Sequence, residues 1–420
     1  MLLINEYSQI LLILACVFAF FMAWGVGAND VANAMGTSVG AKALTIKQAI
    51  IIAMIFEFFG AYLAGGEVTD TIRGGIVDSG LLENSPELLV FGMLSSMLAA
   101  GLWLLIASLA GWPVSTTHSI IGAIVGFAAV GIGIDAVHWE KIGEIALSWI
   151  VSPVLSGVMA FSLFRSVQYL ILNTDNPFEK ALKYVPFYMF FTGFALSMMT
   201  LVKGLKHVGL HLSFGESILY SLAVGIFVGI VGKLMLGTIK RDLSLEVDNR
   251  FANVERIFAV LMVFTACAMA FAHGSNDVAN AIGPLAAVVG VINDGGVVAK
   301  SALPQWILLL GGSGIVVGLM TLGYKVIATI GSKITELTPS RGFAAELAAA
   351  ITVVFASALG LPISTTHSLV GAVLGVGLAR GVGAIDLRVV GSIFTSWIIT
   401  LPAGATFAIA FFFLFKFLFI

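Results

Sequence analysis

The chain has 420 residues, of which 59% are hydrophobic and only 10% charged, and its formal net charge is -2. A mean hydropathy of +1.05 lies far outside the range of soluble domains and excludes an ordinary water-soluble enzyme. The charge balance offers no basic surface for nucleic acid, and two cysteines inside apolar runs, Cys16 and Cys267, make no disulfide framework.

The apolar runs have the roughly 20 residues a spanning helix needs and lack the ten-residue alternation of a membrane barrel. The expectation is therefore an all-α polytopic membrane protein with about 10–12 hydrophobic segments, some of them broken or re-entrant. Residues 8–28 form the first span, read as retained because no positive segment leads it. It enters Gly27-Ala-Asn-Asp-Val-Ala-Asn-Ala34, where a helix would put Asn29, Asp30 and Asn33 on one face. A carboxylate at membrane depth is costly and usually functional. No Lys or Arg precedes Lys42, and Lys47 follows it, so the positive-inside bias sets the N-terminus outside.

A second span, residues 48–65, carries Glu57. The loop after it, to Glu87, holds Glu67, Asp70, Asp78, Glu83 and Glu87 against Arg73, as an external face would. A third span ends at Gly111. There Trp112-Pro-Val-Ser-Thr-Thr-His118 has the chemistry of a helix start inside the apolar region, with Pro tolerated in the first turn and hydroxyls free to cap. That helix runs to about Gly133, and a further span, residues 142–164, contains Ser148-Trp-Ile150 and Pro153.

Residues 166–256 have no counterpart elsewhere. They hold two spans, 186–202 and 217–236, and a stretch with Lys233, Lys240, Arg241, Arg250 and Arg256 that is cytoplasmic by the same bias. From Ile257 the first unit returns as Gly274-Ser-Asn-Asp-Val-Ala-Asn-Ala281, Leu361-Pro-Ile-Ser-Thr-Thr-His367 and Ser396-Trp-Ile398 with Pro402. The separations Asp30 to Asp277, Pro113 to Pro362 and Trp149 to Trp397 agree to within two residues. The chain thus divides into a first repeat (1–165), a linking part (166–256) and a second repeat (257–420). In the second repeat the matching loop carries Lys325, Lys333 and Arg341 against Glu336 and Glu346. The reversed bias points to an inverted repeat, the architecture of many secondary transporters.

In such carriers the site lies at the repeat interface, where broken-helix N-termini present N–H groups to anions. Two Ser-Thr-Thr starts suit an oxyanion, with Asn29, Ser115, Thr116, Thr117, Asn276, Ser364, Thr365 and Thr366 as its candidate ligands. No Lys or Arg lies in the four motifs, and Asp30 and Asp277 repel an anion. Both difficulties vanish if cations bind between, or if the acids are protonated, so the motifs themselves argue for cation-coupled anion uptake. Asp30, Asn33, Asp277 and Asn280 are the cation candidates, with Asp30 and Asp277 as ligands of sodium if sodium is the coupling ion. The competing readings are hydroxyls that only cap or back-bond, polar side chains that only join helices, His118 and His367 as structural groups, and a Ser-His-Asp hydrolase. Duplication of every candidate in two opposed halves disfavours the hydrolase. A channel is distinguished by transport that does not saturate.

The paired Gly-x-Asn-Asp-Val-Ala-Asn-Ala and Pro-x-Ser-Thr-Thr-His motifs closely resemble the inorganic phosphate transporter (PiT) family, and the likeness covers both repeats. The resemblance implies an all-helical inverted-repeat carrier, often a homodimer in lipid, that brings in orthophosphate with sodium or protons. It also implies coupling roles for Asp30, Asp277, Glu57 and Glu346. Without a long hydrophilic central loop the chain is similar to the compact prokaryotic members, which implies the cytoplasmic membrane. The symmetry is incomplete, since His273 precedes the second motif where Val26 precedes the first. Between phosphate and a sulfate or other oxyanion permease, the acids favour phosphate, because hydrogen phosphate donates a hydrogen bond and sulfate only accepts.

Overall fold

A computed structural model describes residues 2–78, 80–82, 85–203, 212–246, 249–294, 303–330, 337–381 and 387–420. Its first half contains α1 (Leu2–Gly40), α2 (Ile46–Ala64), α3 (Gly66–Gly74), α4 (Pro86–Ala110), α5 (Thr116–Phe127) and α6 (Trp139–Val167). The linking part gives α7 (Pro177–Lys203) and α8 (Phe214–Leu236), and the second half α9 (Ala252–Asp294), α10 (Gln305–Gly318), α11 (Tyr324–Ile330), α12 (Pro339–Ala358), α13 (Thr365–Arg380) and α14 (Leu387–Phe419). Ten helical stretches among the described residues are long and apolar enough to cross a membrane. The chain is a multi-pass membrane protein whose described residues are nearly all in helices and the loops between them, as its composition implies.

Both acidic motifs lie in mid-helix. α1 does not stop near residue 28 but carries Asn29, Asp30 and Asn33 along an unbroken length, and α9 does the same for Asn276, Asp277 and Asn280. The helix survives this polar run because the side chains find partners on other helices instead of competing for their own backbone. The motif glycines set the approach of those neighbours. A Cβ on Gly27 would lie 2.0 Å from the Ile315 carbonyl oxygen of α10, and one on Gly274 would lie 2.1 Å from the Glu57 carbonyl oxygen of α2. Only a residue without a side chain allows these backbones to touch.

The packing comes in matched pairs. α1 lies on α4 and α10, α9 on α12 and α2, α5 on α14, and α13 on α6. Each short helix of one repeat is therefore held against the last span of the other.

Parts of the presumed loops are otherwise. Residues 66–74 form α3, which lies on α9 and buries Val68, Thr69, Ile72 and Arg73. Val68 and Ile72, four apart, give it an apolar face that the surrounding charges conceal in sequence. Glu83, Lys333 and Glu336 lie outside the described residues. Glu346, counted above among loop charges, is buried within α12. α7 and α8 begin earlier than their apolar cores, α8 behind a capping box of Ser213 and Glu216.

Candidate functional site

The two short helices start in the same way. α4 and α12 give out near Gly111 and Gly360, both at φ 68°, a left-handed conformation that glycine adopts without cost. A few extended residues follow, and Ser115 (φ -89, ψ 117) and Ser364 (φ -89, ψ 115) cap the next helices. Their hydroxyls accept the backbone N–H groups of His118 at 3.2 Å and His367 at 3.3 Å. This leaves the N–H groups of Thr116 and Thr117, and of Thr365 and Thr366, without intrahelical partners, as in any first turn. Ser115 and Ser364, candidate anion ligands from sequence, cap these helices as acceptors, which leaves each hydroxyl proton able to donate. The His118 ring packs against Trp149 and His367.

From sequence Asn29 and Asn276 stand beside the anion; in the structure their amides fasten the breaks. Asn29 Nδ2 donates to Ser108 Oγ (3.2 Å) and the Trp112 carbonyl (3.1 Å), and its Oδ1 accepts the Val114 N–H (3.3 Å). Asn276 Nδ2 donates to Ser357 Oγ (3.0 Å) and the Leu361 carbonyl (3.2 Å). Each break is held in register with the long helix that carries the neighbouring Asp.

The carboxylates meet the threonines. Asp30 Oδ2 accepts Thr116 Oγ1–H at 2.7 Å and Oδ1 accepts Asn33 Nδ2–H at 3.0 Å. Asp277 Oδ2 accepts Thr365 Oγ1–H at 2.8 Å. The second asparagines cross between repeats: Asn33 donates to Thr366 Oγ1 at 2.7 Å, and Asn280 lies 3.2 Å from both Thr116 Oγ1 and Thr117 Oγ1. Thr117 in turn donates to the Ile363 carbonyl at 2.9 Å. None of these Asn, Asp and Thr side chains is more than 2% exposed, so the site is closed to solvent in the conformation described.

His273 was not among the sequence candidates, and it occupies the centre. Its Nε2 lies 3.0 Å from Asp277 Oδ2 and 4.0 Å from Asp30 Oδ2, and its Nδ1 lies 3.1 Å from Glu57 Oε2. Glu57 joins the group through this ring. The one available signal was its position four residues before Asp277, which puts both on one helix face. Asp30, His273 and Asp277 can offer ligand atoms within 4.8 Å of one another. The two motifs differ in how far they are satisfied. Both oxygens of Asp30 accept hydrogen bonds, whereas Asp277 Oδ1, Asn276 Oδ1 and Asn280 Oδ1 are buried and accept none among the described residues. Buried acceptors without donors are rare, and hard cations bind such oxygens.

Glu346 belongs to a separate cluster. Its Oε1 accepts from the hydroxyls of Thr37 and Ser38, and its Oε2 from Thr265 Oγ1 at 2.7 Å, so it joins α1, α9 and α12. Thr37 and Ser38 follow Asp30 by two helical turns, the spacing of a common face.

A model described as the phosphate transporter family matches residues 26–408. A Haemophilus influenzae protein named as a candidate phosphate permease is 54% identical to this chain, over 99% of each. Inorganic phosphate transporter 2-1 of Arabidopsis thaliana, a chloroplastic protein, is 44% identical over 94% of this chain and 70% of its own length. A solved structure described as the sodium-dependent phosphate transporter superposes with a TM-score of 0.90 at 42% identity, covering 97% of this chain and 99% of its own. With four motifs in order, a shared fold and these identities, the chain belongs to the phosphate transporter family, whose members are transporters and not enzymes.

Proposed function

We propose that this protein imports inorganic phosphate by symport with a cation, sodium in the first instance, through alternating exposure of a site where α1, α5, α9 and α13 meet. The reading is carried by one observation: each motif Asp receives the first threonine hydroxyl of a short helix, and each second Asn reaches a threonine of the opposite repeat. Phosphate oxygens take the first-turn N–H groups and threonine hydroxyls of both starts. Sodium takes the orphaned oxygens of Asp277, Asn276 and Asn280 together with Asp30, and so screens the acids from the anion. The sodium dependence in the description of the similar structure supports sodium over a proton. Asn33 and Asn280 hold the two halves together around the ligand, and Glu57 and Glu346 act on coupling from the edges.

In the same proposal residues 1–165 and 257–420 are the two transport repeats, joined by 166–256. The protein lies in the cytoplasmic membrane with its N-terminus outside, as a homodimer. Because the site is closed in the conformation described, each face must open in turn for passage.

The test is uptake of labelled phosphate into proteoliposomes with excess unlabelled sulfate. Saturable uptake unaffected by sulfate is expected. Equal suppression by sulfate would make the protein a general oxyanion permease, and uptake that does not saturate would make it a channel.

A further inference from the structure

The Ser148-Trp-Ile150 segment plays no part in the transport scheme above, yet Trp149 touches both broken-helix starts. It sits half-buried on α6. Its indole Nε1–H donates to the Pro362 carbonyl, in the break before α13, at 3.2 Å. Its ring centroid lies 3.9 Å from that of His118, in the first turn of α5, and the His118 and His367 rings meet edge to face at 4.5 Å. Its own carbonyl is also engaged. Pro153, four residues on, has no N–H to give it, and His367 Nδ1 lies 3.3 Å away in position to donate.

The surrounding packing concentrates the connection at this residue. α13 is pressed against α6, where a Cβ on Gly375 would lie 2.0 Å from the Gly157 carbonyl oxygen, and α5 against α14, where one on Gly122 would lie 2.4 Å from the Leu401 carbonyl oxygen. Between these two tight pairs the helices part around an open apolar groove of about 880 Å³ lined by Val154, Val158, Leu374, Leu378 and Leu401. Trp149, His118 and His367, in contact with one another, line it as well.

We propose that Trp149 is a positioning residue that ties the two anion-binding helix starts together, so that both are set in place before phosphate arrives. This rests on the reading that one phosphate bridges both starts. In the second repeat Pro402 follows Trp397 by five residues, not four, and frees the carbonyl of Ile398 rather than that of the Trp. The side chain of Trp397 lies outside the described residues. With the starts untied, phosphate must order them as it binds, a cost that falls on affinity.

The experiment is the initial rate of sodium-driven phosphate uptake in proteoliposomes against phosphate concentration. Trp149→Phe keeps a ring against His118 and removes the indole donor; it should raise the phosphate KM about fivefold, one net hydrogen bond, with kcat little changed. His118→Leu should raise KM in the same direction, and the double variant should be no worse than the poorer single one, because both cut one tie. A wild-type KM in Trp149→Phe, even with lower thermal stability, overturns the proposal, as do losses that simply multiply. Should Trp149→Phe not fold, the KM of Trp149→Leu, which also lacks the indole donor, decides in its place. Absence of phosphate uptake by the wild type would instead remove the functional reading and this inference together.

Discussion

Asn33, on the first long helix, donates its side-chain amide to Thr366 Oγ1, in the first turn of the opposite repeat's short helix, at 2.7 Å. A buried bond of this kind leaves an unsatisfied group when one partner is removed, at a cost of about 1–3 kcal/mol. Asn33→Ala and Thr366→Val should each weaken phosphate binding by about tenfold or more, and the double variant should lose less than the two singles together. Isothermal titration or KM measurements on all four proteins check this. Strictly additive losses would mean that the bond does not operate in the ligand-bound state.

Asp30→Asn and Asp277→Asn should both abolish coupled uptake in protein that still elutes as a folded species. They should differ in their response to sodium. Asp277 has an oxygen without a hydrogen-bond donor and Asp30 has none to spare, so stabilisation by sodium in a thermal-unfolding assay should vanish in Asp277→Asn and be only weakened in Asp30→Asn. Undiminished uptake in either variant would sink the role assigned to it.

Ser115→Ala and Ser364→Ala test whether these hydroxyls serve as caps alone. Loss of an N-cap costs about 1 kcal/mol, so both should lower the unfolding temperature while leaving phosphate KM near that of the wild type. A large rise in KM without loss of stability would add them to the binding site.

Glu346→Gln replaces the acceptor of three hydroxyls from α1 and α9 with a group that can accept at only one atom. A drop in stability of about 1–3 kcal/mol is expected, measured by thermal unfolding in detergent, with the sodium dependence of uptake altered in the fraction that folds. Stability and coupling both equal to wild type would show the cluster to be dispensable.

The parts of the site legible in sequence are those written in local chemistry. Ser115 and Ser364 announce helix starts because Pro, a capping hydroxyl and an apolar run sit within a few residues of one another, and the repeated motif announces Asp30 and Asp277. What escaped depends on partners far along the chain. The bond from Asn29 to the Trp112 carbonyl, 83 residues away, has no local sign. Glu346 looks like a loop charge until Thr37 and Thr265 surround it. His273 shows up in sequence only as a break in symmetry four residues before Asp277, and its bridging of Glu57 to Asp277 requires the packing of α2 on α9. α3 was read as loop because Glu67, Asp70 and Arg73 outweigh the two apolar residues that bury it.

The most direct test of the account is phosphate uptake into proteoliposomes under an imposed sodium gradient, compared with an imposed proton gradient at equal membrane potential. Accumulation driven by sodium, and lost in Asp277→Asn, is the predicted result. Accumulation driven by protons and indifferent to sodium would contradict the assignment of the unsatisfied oxygens on α9 to a bound cation.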